Sequence, residues 1–129
     1  MKRIILILLF VSCSNEETIL CDCSYSGKQK EALELINQYR YNKLVCDYDA
    51  NLLAEQRVIE ITTDLSHNGF KAVQNKQTGE ILAYGFKDVK STVRAFENSE
   101  DHCNIMLNEK YNRVGIGIYE SYYCVILIK

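Results

Sequence analysis

From Lys28 onward the hydrophobic positions fall first into helical and then into extended patterns. Ala32, Leu35, Ile36 and Tyr39 recur at three-to-four spacing and predict a first helix, ended by Asn42 and Lys43. A polar break at Asp47 to Asp49 follows, with Asp49 suited to cap a second helix. That helix is expected to run to about Leu65, with Leu52, Leu53, Ile59 and Ile61 among its apolar positions. Ser66-His67-Asn68-Gly69 closes it, since asparagine and glycine accept a left-handed cap. A polar stretch from Lys71 to Thr78 leads into Gly79-Glu80-Ile81-Leu82-Ala83-Tyr84-Gly85. A third helix over roughly Val89 to Asn98 places Val93 and Phe96 on one face. A short fourth helix begins after Ser99, which can cap it, with Glu100 and Asp101 in the first turn where the helix dipole favours acid.

The C-terminal part reads as extended chain. Val114-Gly115-Ile116-Gly117-Ile118 alternates at period two, and its glycines leave one face flat enough for a helix or another backbone to approach. Tyr122 to Ile128 is continuously apolar, as in a strand covered on both faces. Glu120-Ser121 joins the two into a hairpin. The expected fold class is α/β: a three-layer α/β/α sandwich, with several helices around a small, mostly antiparallel sheet.

The N-terminus has a different character. Lys2 and Arg3 precede an apolar run from Ile4 to Val11 that is far shorter than the roughly 20 residues of a membrane-spanning helix and fits a signal-peptide core. Ser12-Cys13 directly after that run resembles a bacterial lipobox: a small residue for the signal peptidase, then a thiol to carry diacylglycerol. Residues 1–12 are therefore expected to be a signal peptide, 13–27 a lipidated tether and 28–129 the folded domain. The tether would hold the domain within about 50 Å of the membrane at roughly 3.3–3.6 Å per residue. Ser14 leans the sorting, by resemblance to known lipoproteins, towards the outer membrane where the host has one, and Glu16-Glu17 adds a weak signal for export to the cell surface. The expected location is the bacterial cell envelope, with the membrane as one partner.

Composition narrows the possibilities further. The 129 residues leave room for one domain, and a formal net charge of −2 provides no electrostatic footprint for nucleic acid. Cleavage ahead of Cys13 would leave 13 basic against 17 acidic residues. Of the six cysteines (13, 21, 23, 46, 103 and 124), lipidation of Cys13 leaves an odd five for an oxidising compartment. Cys21-Asp22-Cys23 is too tightly spaced for a zinc knuckle; it reads as a flexible disulfide partner or as nothing.

Several segments in this order resemble the CAP superfamily, or SCP-like extracellular domain, in its short bacterial form. They are Leu35-Ile36-Asn37-Gln38-Tyr39-Arg40, Ser66-His67-Asn68-Gly69-Phe70, Gly79 to Gly85, Asn98-Ser99-Glu100-Asp101-His102-Cys103-Asn104-Ile105 and the two C-terminal strands. The resemblance covers about residues 30 to 129. It implies a cleft in which His67, Glu80 and His102 converge. Two imidazoles and a carboxylate can hold a divalent ion such as zinc, with His67 and His102 as metal ligands, or exchange protons near neutral pH. Ile81 stands where the family has an asparagine, and Phe96 where it usually has a tryptophan. The resemblance also implies a Cys46–Cys103 disulfide, with Cys103–Cys124 as the rival pairing. Two functions follow as expectations. One is a binding module for a protein, lipid or envelope ligand; the other is a metal-assisted hydrolase in which Glu80 activates water.

Overall fold

The computed structural model describes Cys23, Tyr25 and residues 27–129. The expected signal peptide and the lipidation position Cys13 lie outside the described residues. The elements in order are α1 (Gly27–Tyr39), β1 (Val45–Cys46), α2 (Tyr48–Glu60), β2 (Thr78–Tyr84), α3 (Val89–Asn98), α4 (Glu100–Met106), β3 (Arg113–Tyr119) and β4 (Tyr122–Ile128). The strands form one sheet in the order β1-β3-β4-β2, parallel only between β1 and β3. The expected sandwich is thus the observed one.

The apolar run of β4 splits by parity between two cores. Tyr123, Val125 and Leu127 face a cluster built with Ala32, Ile36, Val93, Phe96 and Met106 from α1, α3 and α4. Cys124, Ile126 and Ile128 face Ala50, Ala54 and Val58 of α2, with Ile61 just beyond it. Because strand side chains alternate between faces, the central strand must be apolar throughout when helices cover both.

α2 departs from expectation at both ends and on its buried face. Its cap is Asp47, whose carboxylate accepts from the Ala50 N–H at 2.9 Å; Asp49 lies inside the first turn. The helix stops at Glu60, not near Leu65, because the Thr62 and Thr63 hydroxyls donate back to the Ile59 and Glu60 carbonyls, at 2.7 and 3.0 Å, and take over its last acceptors. Gly69, at φ +78°, serves the turn beyond. Leu52 and Ile59 are 49% and 52% exposed, whereas the small residues Ala50 and Ala54 are fully buried. The cause lies in β3. A β-carbon at Gly115 would fall on the Ala50 carbonyl group, and one at Gly117 on the Ala54 carbonyl, so α2 rests directly on strand backbone.

α3 is opened by a reciprocal capping box between Asp88 and Ser91. Ser99, in contrast, stands at the start of α4 without making a side-chain cap. The disulfide joins Cys46 to Cys23, and Cys103 and Cys124 are both free thiols among the described residues. The expected Cys46–Cys103 pairing, and its rival Cys103–Cys124, are corrected accordingly. Cys46 sits in β1 at the margin of the sheet, where the segment ahead of α1 passes. The Tyr25 hydroxyl accepts from the Ile116 N–H at 2.8 Å on that same margin. Linking positions 23 residues apart stabilises the fold by about 3 kcal/mol in the chain-entropy view.

Candidate functional site

Glu80 lies in β2 with a side chain only 1% exposed, on the face covered by α2. An uncompensated carboxylate there would be very costly. The compensation is Arg57, one helical step beyond Ala50 and Ala54 on the buried face of α2. Its guanidinium clamps Glu80 with two bonds, Nε to Oε2 at 2.8 Å and Nη2 to Oε1 at 3.0 Å. Nη1 donates to the Glu60 carboxylate at 2.6 Å, and Nη2 donates also to the Ser66 carbonyl at 2.9 Å. These bonds raise the Arg57 pKa still further above its ordinary value, chiefly through Glu80. The loop after α2 is thereby tied to β2.

That loop carries His67. Its Nδ1 lies 2.9 Å from Glu80 Oε1, and because a carboxylate only accepts, Nδ1 carries the proton. The side chain is 62% exposed, so Nε2 is left as the group a ligand would meet. Beneath them the Cys124 thiol lies 3.7 Å from Glu80 Oε2. Burial first, and the Glu80 charge second, push that thiol well above the usual cysteine range. Cys124 is accordingly expected to resist iodoacetamide in the native protein while half-buried Cys103 reacts. Peptide mapping by mass spectrometry checks this, and native labelling of Cys124 at the Cys103 rate would count against the packing.

His102 follows Ser99 in the first turns of α4 and packs its ring on Phe96, with centroids 5.5 Å apart. Burial, then the like charge of His67, lower its pKa, with Asp101 partly opposing. The folded state therefore binds fewer protons than the unfolded chain. Its stability should decline as pH falls below the ordinary histidine value of about 6.5, until the folded pKa is passed. Urea midpoints measured against pH should show this decline, and His102→Gln should flatten it; an unchanged slope would show that the ring is not desolvated.

The structure brings His67 and Glu80 into direct contact; His102 lines a groove beside β2, near enough for the His67 charge to bear on it. This groove, of about 310 Å³, is lined chiefly by Leu65, Leu82, Tyr84, Phe86, Phe96 and His102. Its walls come from both helical layers and its floor is β2. The donor set does not fit the expected zinc. Both Glu80 oxygens are engaged by Arg57 and one also by His67, and a guanidinium would stand against a bound cation. Among the described residues, no three His, Cys, Asp or Glu side chains converge as a metal-binding group. Arg57 and His67 take three of the four acceptor positions of Glu80 and the Cys124 thiol lies against the fourth, so the carboxylate is poorly placed to act as a general base.

Arg57 is the site residue that the sequence reading missed. The available signal was a charged residue on the α2 face defined by Ala50, Ala54, Val58 and Ile61. That face becomes visible only once the alanines, rather than the leucines, are taken as buried.

The chain from residue 33 to 127 matches the family model described as CAP, cysteine-rich secretory protein family. The uncharacterized membrane protein YlbC of Bacillus subtilis (strain 168) is 37% identical over 57 residues, 44% of this chain and 16% of that protein. Among solved structures, an extracellular protein containing a SCP domain from Bacillus anthracis str. Ames superposes with a TM-score of 0.66 at 21% identity, covering 78% of this chain and 39% of that one. An outer surface protein from Borrelia burgdorferi reaches 0.71 at 21% identity, covering 79% of this chain and 92% of that one. The chain thus spans well under half the length of YlbC and of the anthracis protein. With the family model matching most of its length, the chain belongs to the CAP, or cysteine-rich secretory protein, family.

Proposed function

We propose that this protein is a non-enzymatic binding module of the bacterial cell envelope, anchored through a lipid on Cys13, that takes its ligand in the groove lined by Leu65, Tyr84, Phe86 and His102, beside the His67–Glu80 pair. The observation that carries this reading is the state of Glu80. A carboxylate clamped by Arg57 and bonded to His67 is a structural ion pair that ties the loop carrying Leu65 and His67 to β2, not a base awaiting a substrate. The surface around it suits recognition. The groove walls are apolar, and Leu65, Tyr84 and Phe86 are exposed along its mouth. The names of its relatives, an extracellular protein, an outer surface protein and a membrane protein, support an envelope or surface location.

Metal analysis of protein purified without chelator tests the reading against the hydrolase. The expected zinc content is far below one ion per chain, unaffected by His67→Ala or His102→Ala. Stoichiometric zinc lost in both variants would overturn the binding module in favour of a metal-assisted hydrolase. Anchoring is tested separately by mass spectrometry of the mature N-terminus, where an unmodified Cys13 would remove the lipid from the proposal.

A further inference from the structure

We infer that the open edge of β2 is a strand-addition site for an extended, apolar peptide segment of another protein. This names the partner class of the proposed groove and rests on the binding-module reading. Register determines which main-chain groups are free. Lys129 N–H donates to the Gln77 carbonyl at 3.1 Å and Gly85 N–H to the Ser121 carbonyl at 3.2 Å, one bond at each end of β2. With the pairing Gly79↔Leu127, Ile81↔Val125 and Ala83↔Tyr123 between them, the odd-numbered residues of β2 are bonded to β4. The even-numbered residues Glu80, Leu82 and Tyr84 turn their N–H and C=O groups the other way. β2 is the outermost strand of the sheet on that side, so these groups face away from it.

At the lower end of β2, α4 packs on the sheet face: a β-carbon at Gly79 would lie 3.0 Å from the Ile105 side chain. The upper end, at Leu82 to Tyr84, is the floor of the groove. Leu65 forms one wall from the loop after α2, and Phe96 and His102 form the other from the α3–α4 layer. A strand laid along Leu82 and Tyr84 would bond to their main-chain groups and send alternate side chains to the two apolar walls. The walls also decide between occupants. An edge recessed between two side-chain layers cannot meet the equally recessed edge of a second folded copy, whereas a single extended peptide can enter. An acyl chain would fill the apolar walls but leave the strand's polar groups unbonded, at a desolvation cost.

The test uses the full chain, immobilised, and a degenerate pool of hexapeptides whose retained members are sequenced by mass spectrometry. Retained peptides are expected to carry apolar residues at alternate positions. N-methylation of the alternate amides on one edge of the best sequence should weaken binding by about tenfold or more, the loss of at least one main-chain hydrogen bond. Tyr84→Pro removes an outward N–H at an exposed edge position where proline is tolerated, and should weaken binding to a similar extent. Tyr84→Val removes the ring but keeps the N–H, so the loss in Tyr84→Pro beyond that in Tyr84→Val is the part that belongs to the main-chain bond; equal losses in the two variants would count against strand addition. Should Tyr84→Pro fail to fold, the N-methyl series on the unaltered chain decides. No enrichment, or equal binding of methylated and unmethylated peptide, overturns the proposal. Dodecanoate binding in the groove without peptide binding also overturns it, while leaving the binding module standing. A concentration-dependent dimer abolished by Tyr84→Pro would assign the edge to a second copy instead. Stoichiometric zinc lost in the histidine variants would overturn both readings together.

Discussion

Gly115→Ala is expected to destabilise the domain by about 3 kcal/mol or more, at the upper end of overpacking costs. The added carbon would occupy the position of the Ala50 carbonyl group, with the Asn51 nitrogen also in the way. Main chain in the hydrogen-bonded first turn of a packed helix cannot rotate aside as a flexible side chain can. α2 as a whole must lift from β3, opening the layer that contains Ala54, Val58 and Ile61. For a domain whose total stability is of order 5–15 kcal/mol, that is a large share. Urea unfolding followed by far-UV circular dichroism would report it as a lower midpoint. Gly85→Ala provides the contrast: nothing lies within 4 Å of its β-carbon, and only its φ of +91° is strained. Ala50→Gly should not rescue Gly115→Ala, because the obstructing atoms are backbone. A loss below about 1 kcal/mol, typical of an ordinary substitution, would mean that helix and strand are not in direct contact.

Arg57→Met is expected to cost about 3–5 kcal/mol, the penalty for leaving a buried charge without its partner. The charge left behind is Glu80, whose side chain is 1% exposed. The same substitution releases the Ser66 carbonyl and Glu60, so amide hydrogen exchange should accelerate in the loop that carries His67. Arg57→Lys should fall in between, since an ammonium keeps the charge but cannot fork to both carboxylate oxygens. Combining Arg57→Met with Glu80→Leu removes both charges and should recover most of the stability, though not the exchange protection of the loop. If the double variant were no more stable than Arg57→Met alone, the pair would not be coupled, and the assignment of Glu80 as a structural ion-pair member would fail.

How far the site was legible follows from the range of the interactions involved. His67, Glu80 and His102 stood out because histidines are scarce here and the surrounding segments resemble a family. Their roles were not legible, because those roles depend on a residue 23 positions from Glu80 in the chain. Once Arg57 occupies the carboxylate, a group expected to bind metal or activate water becomes a buried tie between α2, β2 and the loop that carries His67. The disulfide likewise depended on which part of the chain passes beside β1, and spacing alone does not carry that information. Cys23, set in what read as a tether, turned out to be the partner of Cys46.

The sequence by itself determined what local periodicity and turn chemistry control: the third helix, the terminal hairpin, the two-sided burial of Tyr122 to Ile128 and the flat glycine face of β3. Those features repeat within a few residues, so neighbouring positions carry the whole signal. The tertiary structure alone decided which face of α2 is buried, which cysteines pair and that Glu80 is held by Arg57. Each of these is an interaction between segments far apart in the chain, settled by close packing and by the cost of burying charge.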